Sequence, residues 1–314
     1  MFKPGYLELY RSGELFNRIA NARDLLKECT LCPRQCLARR LEGETGTCRV
    51  GSKPIVSSYG PHFGEERPLV GYYGSGTIFF TYCNLNCLYC QNYTISHEGD
   101  GEEVDASKLA AMMLYLQRQG CHNINFVTPT HQVPQILEAL PIAIEGGLEV
   151  PLVYNCGGYE AVETLRLLEG VFDIYMPDFK YGDPEPAARY SKARDYPEVA
   201  RAAFKEMHRQ VGDLVINEKG IAQRGLLVRH LVLPEDQAGT EKVMRFLAEE
   251  VSRDTYVNVM DQYRPCYKAY QYPLISRRPT ASEYQRAVKA ALDACLWRLD
   301  GVVPGTARAR FIIL

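Results

Sequence analysis

From Gly76 onward the apolar residues fall into two alternating textures. Short runs rich in β-branched and aromatic residues read as strands: Thr77 to Tyr82, Asn123 to Val127, Leu152 to Tyr154, Phe172 to Met176, Leu226 to Leu233 and Tyr256 to Met260. Longer amphipathic segments between them read as helices, near Asp105 to Gln119, Pro134 to Ile144, Tyr159 to Leu168, Glu185 to Gln210 and Thr240 to Val251. Asp105 is placed to cap the first helix and Gly120 to end it. A last helix near Ser282 to Leu299 and the tail Thr306 to Leu314 are expected to pack outside the sheet or close one end. This rhythm predicts an α/β fold of right-handed βαβ units on a parallel sheet. About six units suit a partial, TIM-like (β/α)6 barrel, and an ordinary doubly wound sheet fits the same pattern.

Upstream the texture differs. Leu15, Ile19, Ala22 and Leu26 give Glu14 to Glu28 helical spacing, after which residues 29–75 lose periodicity and collect four cysteines among repeated glycines and prolines. The expected organisation is an N-terminal helix with a cysteine-rich metal-binding module over 1–75, a barrel over 76–265 and a C-terminal helical extension over 266–314.

Composition narrows the chemistry. Lys and Arg number 36 against 38 Asp and Glu, a formal charge of -2, so no basic excess points to nucleic acid or anionic lipid. Met1 to Tyr10 lack the basic start and apolar stretch of a secretory signal, and no run of roughly 18 apolar residues offers a membrane span. A cytoplasmic protein is expected. In that reducing compartment, eleven cysteines favour metal ligands over a disulfide framework, and seven of them fall in two groups.

Cys83, Cys87 and Cys90 form a C-x3-C-x2-C triplet directly after the first barrel strand. Three thiolates leave one iron of a [4Fe-4S] cluster free for a non-protein ligand. Half a zinc site, or simply small buried thiols, are the competing readings. Zinc sites usually pair C-x2-C units or add histidine, and the next cysteine is Cys121, beyond a predicted helix. With Tyr89 before its last cysteine, the triplet resembles the signature of the radical S-adenosylmethionine (SAM) superfamily, whose members chelate the fourth iron with the amino and carboxylate groups of SAM. Its position also suits a barrel, where the loops after the strands carry the active site.

The chain from Gly76 to Pro265 is similar to the pyruvate formate-lyase activating enzymes, which are glycyl-radical activases. The upstream Cys29-Thr30-Leu31-Cys32-Pro33-Arg34-Gln35-Cys36 points to their PflX-like branch. The resemblance places Asp178 and Lys180 of Asp178-Phe179-Lys180, matching the family's Asp-Leu-Lys, beside the SAM methionine moiety. Alternate residues of extended chain share a face, so both point inward while Phe179 packs away. Standing alone, the same pair would read as an exposed ion pair. Arg229 matches an arginine of the family strand; a charge in an apolar strand needs a partner, and a guanidinium holds a carboxylate bidentately. His230 faces the other way and is expected packed or at the surface.

Asn155, in the turn Tyr154 to Tyr159 that stands for the family's Thr-Asn-Gly, suits SAM hydroxyls or its carboxylate, and the adjacent glycines allow close backbone approach to the ligand. Two positions depart from the pattern. Thr128-Pro129-Thr130-His131 replaces Gly-Gly-Glu, leaving backbone carbonyls and the Thr128 or Thr130 hydroxyls to receive the SAM amino group. Asn258 stands in place of a histidine near SAM, with the nucleoside as its expected contact.

Cys29, Cys32, Cys36 and Cys48 supply four ligands, enough for a structural zinc or an auxiliary four-iron cluster. Cys121 and Cys295 are expected as core thiols, and Cys266 lies in an aromatic segment, Tyr263 to Tyr270, placed to line the cavity mouth. The resemblance implies reduction of the cluster by a donor such as flavodoxin or ferredoxin and cleavage of SAM to methionine and a 5′-deoxyadenosyl radical. Hydrogen abstraction from a protein or peptide substrate, at a glycine Cα in the activases, would follow. The rival readings are a radical SAM enzyme acting on a small molecule or making another peptide modification, and a non-catalytic metal-binding adaptor.

Overall fold

A computed structural model describes residues 2–301, so the tail Thr306 to Leu314 lies outside the described residues. The strands are β1 (Ile55–His62), β2 (Ser75–Phe80), β3 (Glu102–Glu103), β4 (Ile124–Val127), β5 (Leu152–Cys156), β6 (Ile174–Pro177), β7 (Val215–Ile216), β8 (Ala222–Leu231) and β9 (Tyr256–Met260). The helices are α1 (Tyr6–Arg11), α2 (Glu14–Asp24), α3 (Arg67–Val70), α4 (Ala106–Arg118), α5 (Val133–Glu145), α6 (Val162–Leu167), α7 (Pro184–Ser191), α8 (Tyr196–Val211), α9 (Thr240–Phe246) and α10 (Ala281–Asp293).

β2, β4, β5, β6, β8 and β9 pair in that order and run parallel. β1 extends the sheet antiparallel on β2, β3 pairs with β1, and β7 lies antiparallel on β8. The fold is α/β with a mixed central sheet, consistent with a partial barrel. One face of the parallel strands, with Ile78, Phe80, Phe126, Tyr154, Tyr175 and Val228, packs into the main core beneath the helices. The alternate residues Val153, Ile174, Met176 and Leu227 face inward and close on Leu69 of α3. The short α3 thus fills the lower barrel, and burial of Leu69 contributes roughly 1.5–3 kcal/mol.

Several elements differ from expectation for identifiable reasons. β1 was hidden in the block read as irregular, because five of its eight residues stay exposed or are Gly60 and Pro61. Pairing with β2 decides its conformation, and a sheet-edge strand tolerates proline. The single helix expected over Glu185 to Gln210 is two, because Lys192 turns left-handed (φ 50) and Pro197 can begin α8 but not continue a preceding helix. α9 gives way at Leu247–Val251 to a π-type turn. α10 starts at a Thr280/Glu283 capping box and ends at Asp293, and Leu299 then bridges back to Val257 of β9. Cys121 is a core thiol as expected, whereas Cys295 is exposed at a left-handed position (φ 64) after α10.

Candidate radical centre at the strand ends

The loop after β2 carries Cys83, Cys87 and Cys90, the latter two separated by Leu88 and Tyr89. Tyr82 (φ 66) and Asn86 (φ 53) take left-handed conformations, which turn the chain sharply on either side of Cys83. Each sulfur meets a donor: the Leu85 amide on Cys83 at 3.3 Å, the Ser191 hydroxyl on Cys87 at 3.0 Å and the Ser96 hydroxyl on Cys90 at 3.2 Å. Ser191 in turn takes a hydroxyl bond with Tyr181 at 2.6 Å. Tyr89 is buried edge-on against Tyr181, Tyr190 and Tyr263, where it anchors the loop to the core. The segment Tyr263 to Tyr270 closes over the same loop: the Lys268 amide donates to the Leu88 carbonyl at 3.0 Å, and Tyr267 stacks on His97.

Burial pushes the Cys83 thiol up to about 12 and raises Cys90, so free thiolates are disfavoured here. Soft thiolates with hydroxyl and amide donors on the sulfurs are the chemistry that suits iron-sulfur ligation, and Cys83, Cys87 and Cys90 are the residues that would hold it. Among the described residues no three His, Cys, Asp or Glu side chains are gathered around a single metal-ion position. Thiolates that bind separate irons of a cubane stand farther apart than ligands of one ion, so the triplet remains fitted to a cluster.

Beside the triplet lies a polar network drawn from the ends of β5, β6 and β8. Arg229 donates to Asp178 at 2.7 Å and to Asn155 at 2.7 Å, and Lys180 donates to Asp178 at 2.6 Å. Glu65 approaches Arg229 at 3.6 Å, and Asn258 donates to Glu66 at 2.9 Å. Burial opposes ionisation of Asp178, yet Arg229 and Lys180 hold its carboxyl below the ordinary value. Burial likewise works against the Arg229 charge, and Asp178, Glu66 and Glu65 together keep its pKa raised. Burial raises Glu66, with Arg229 and Asn258 acting in the opposite sense.

A side chain at Gly157 would come within 3.4 Å of Leu85 in the cysteine loop and 3.6 Å of Lys180, so the two constellations adjoin. Gly158 (φ 78) has a different use from the one expected. A Cβ there would strike the Asp178 carbonyl at 2.4 Å, so its freedom lets β6 close on the turn rather than a ligand approach it.

Asn155, Asp178, Lys180, Arg229 and Asn258 are therefore brought together. Phe179 packs away among Tyr196, Phe204 and Phe246, and His230 is fully buried between the Phe179 carbonyl and Thr240. Thr128 (φ 60) sits at the end of β4 with its amide on the Asn155 carbonyl. Thr130 is not offered to a ligand: its hydroxyl is committed to buried Glu160, which also accepts from Tyr154. Sequence reasoning missed Glu65, Glu66 and Tyr196, whose hydroxyl ties Gly157, Asp178 and Lys180 together. The one available signal was an acidic pair ahead of Pro68 in a block read as irregular. A groove of about 540 Å³ between α9 and α10 holds none of these residues and belongs to the outer helical layer. Among the described residues no helix is long and apolar enough to cross a membrane.

Comparison with known proteins agrees with this geometry. Residues 77–247 match the family model described as the radical SAM superfamily. An uncharacterised protein of Methanocaldococcus jannaschii is 34% identical over 294 residues, covering 91% of this chain and 80% of its own. A second uncharacterised protein of that organism is 24% identical over 270 residues, covering 78% and 73%. Among solved structures, a radical SAM methyltransferase from Sphaerobacter thermophilus shares the fold with a TM-score of 0.50 and 15% identity, over 70% of this chain and 64% of that one. The chain belongs to the radical SAM superfamily, which implies a [4Fe-4S] cluster and SAM.

Proposed function

We propose that this protein binds SAM across the junction of the Cys83, Cys87, Cys90 loop and the Asn155, Asp178, Lys180, Arg229 network, and abstracts hydrogen from a protein or peptide substrate. When bound, the cluster supplies one electron, from a donor such as flavodoxin or ferredoxin, to split SAM into methionine and a 5′-deoxyadenosyl radical. The chain's own residues bind and orient. Lys180 and Arg229 are two fixed cations for the methionine carboxylate; Asp178 accepts from the amino group and keeps both cations in place. Thr128, at the end of β4, offers a hydroxyl and carbonyl near the same group. Asn258, on the next inward position beside Arg229, is assigned to the nucleoside. The Tyr89 cluster and Tyr267 exclude water from the loop.

The observation carrying this reading is that Arg229, Asp178, Lys180 and Asn155 from three strand ends form one bonded network next to the triplet. A protein or peptide substrate in the manner of the glycyl-radical activases rests on sequence resemblance, as does the PflX-like branch. The methyltransferase neighbour is too remote to select the reaction. An anaerobically reconstituted, reduced protein given SAM is expected to release 5′-deoxyadenosine, and Cys87→Ala to release none. Deuterium passing from a glycine-labelled peptide into deoxyadenosine supports the peptide assignment; deuterium arriving only from a small molecule refutes it.

A further inference from the structure

We infer that Cys29, Cys32, Cys36 and Cys48 form a second, four-thiolate iron-sulfur centre whose loop holds the radical-cluster loop in place through Arg34. Apart from one short 3-10 turn, residues 25–54 have no helix or strand, yet Cys29, Cys32 and Cys48 are buried and Cys36 is half-buried. The Cys29 amide donates to Ala38 and the Leu37 amide to Cys29, both at 3.1 Å, which folds the segment back on itself around Cys32 and Cys36. Gly46 permits the second half of the loop to close, since a Cβ there would stand 2.1 Å from the Cys36 sulfur.

Arg40 is the independent sign of charge. Its side chain is 0% exposed, it donates to the Gly51 and His131 carbonyls, and its remaining amino group lies 3.9 Å from the Cys29 sulfur. Among the described residues no carboxylate pairs with it. A buried guanidinium without a counter-charge is costly. Four thiolates on an oxidised four-iron cluster carry a net negative charge that answers it.

Arg34, between Cys32 and Cys36, reaches out of this loop. It donates to the carbonyls of Asn84 (2.9 Å), Leu85 (3.3 Å), Ser191 (2.8 Å) and Lys192, and lies over the Tyr159 ring at 5.2 Å. Asn84 and Leu85 sit between Cys83 and Cys87, and the Ser191 hydroxyl donates to Cys87. One planar fork therefore ties the N-terminal cysteines to both walls of the radical centre, a geometry that a lysine point charge does not reproduce. Arg34 is a positioning residue.

The second half of this inference rests on the radical SAM reading; the first does not. Metal and sulfide are counted in the full chain, purified anaerobically from cells supplied with iron and zinc. The expected count is about eight irons, about four at the triplet and about four at Cys29, Cys32, Cys36 and Cys48, because no three of these side chains converge on a single metal-ion position. Cys32→Ser/Cys48→Ser is expected to lose only the second set, and Cys87→Ala only the first, so failure of either centre is read separately. Four irons in the wild type, with or without a zinc, overturns the second cluster even if the double variant does not fold. Arg34→Lys is expected to keep both clusters, to change the electron paramagnetic resonance spectrum of the reduced cluster with SAM, and to slow SAM cleavage at saturating SAM about tenfold. An unchanged spectrum and rate overturns the positioning role.

Discussion

Arg229 donates to Asp178 at 2.7 Å, and the same two residues form the outermost parallel bridge between β6 and β8. Backbone pairing and side-chain charge thus register at one point, which fixes the polar network where the barrel opens toward the cysteine loop.

Removing the guanidinium tests that coupling. Arg229→Met is expected to cost about 2–3 kcal/mol, less than the ~3–5 kcal/mol typical of breaking a buried pair, because Lys180 still neutralises Asp178. Urea denaturation of the metal-loaded protein measures the loss, and calorimetry should find weaker SAM binding. Stability equal to wild type would mean that the network contributes no order.

The buried Glu160 predicts a pH dependence. Burial pushes its carboxyl from the ordinary 4.5 to about 7, with Thr130, Tyr154 and Cys156 opposing the rise. The folded state therefore holds a proton that the unfolded chain gives up between about pH 4.5 and 7. Stability from the neutral carboxyl is complete below that window and is lost as pH rises through it. Asp173, also raised to about 7, adds to the same slope. Glu160→Gln should flatten it in part, as read from urea midpoints between pH 4.5 and 7; an unchanged slope would place Glu160 outside the linkage.

The hydroxyl on Cys87 should tune the cluster. Hydrogen bonds to ligand sulfur favour the reduced, more negative state. Ser191→Ala removes one neutral bond of about 1 kcal/mol, which for a one-electron couple is on the order of 40 mV toward more negative potential. A redox titration followed by electron paramagnetic resonance measures it, and a shift in the positive direction would contradict the geometry.

Much of this site was legible because barrel chemistry is periodic. The apolar runs left Asn155 and Asp178 just past strand ends, family resemblance singled them out together with Arg229 inside Leu226 to Leu233, and the two-residue repeat correctly sent Phe179 and His230 away from Arg229. What sequence did not disclose depends on distant partners. β1 has little apolar alternation and lies at the sheet edge beyond Val56, α3 is a four-residue helix defined by what it plugs, and Glu65 and Glu66 acquire meaning only when the chain folds back on β8 and β9. Thr130 was misjudged for the same reason, since its partner Glu160 lies 30 residues away.

Thr128 tests whether local strain serves the site. A β-branched residue at φ 60 is costly, and asparagine tolerates that conformation. Thr128→Asn is expected to gain about 1 kcal/mol in urea denaturation while weakening SAM binding. A loss of stability would mean that the threonine hydroxyl holds the turn.

The most direct test of the central claim is electron-nuclear double resonance on the reduced protein with SAM carrying 17O in its carboxylate and 15N in its amino group. Both labels should couple to the cluster held by Cys83, Cys87 and Cys90. A four-iron signal that senses neither label would contradict the account.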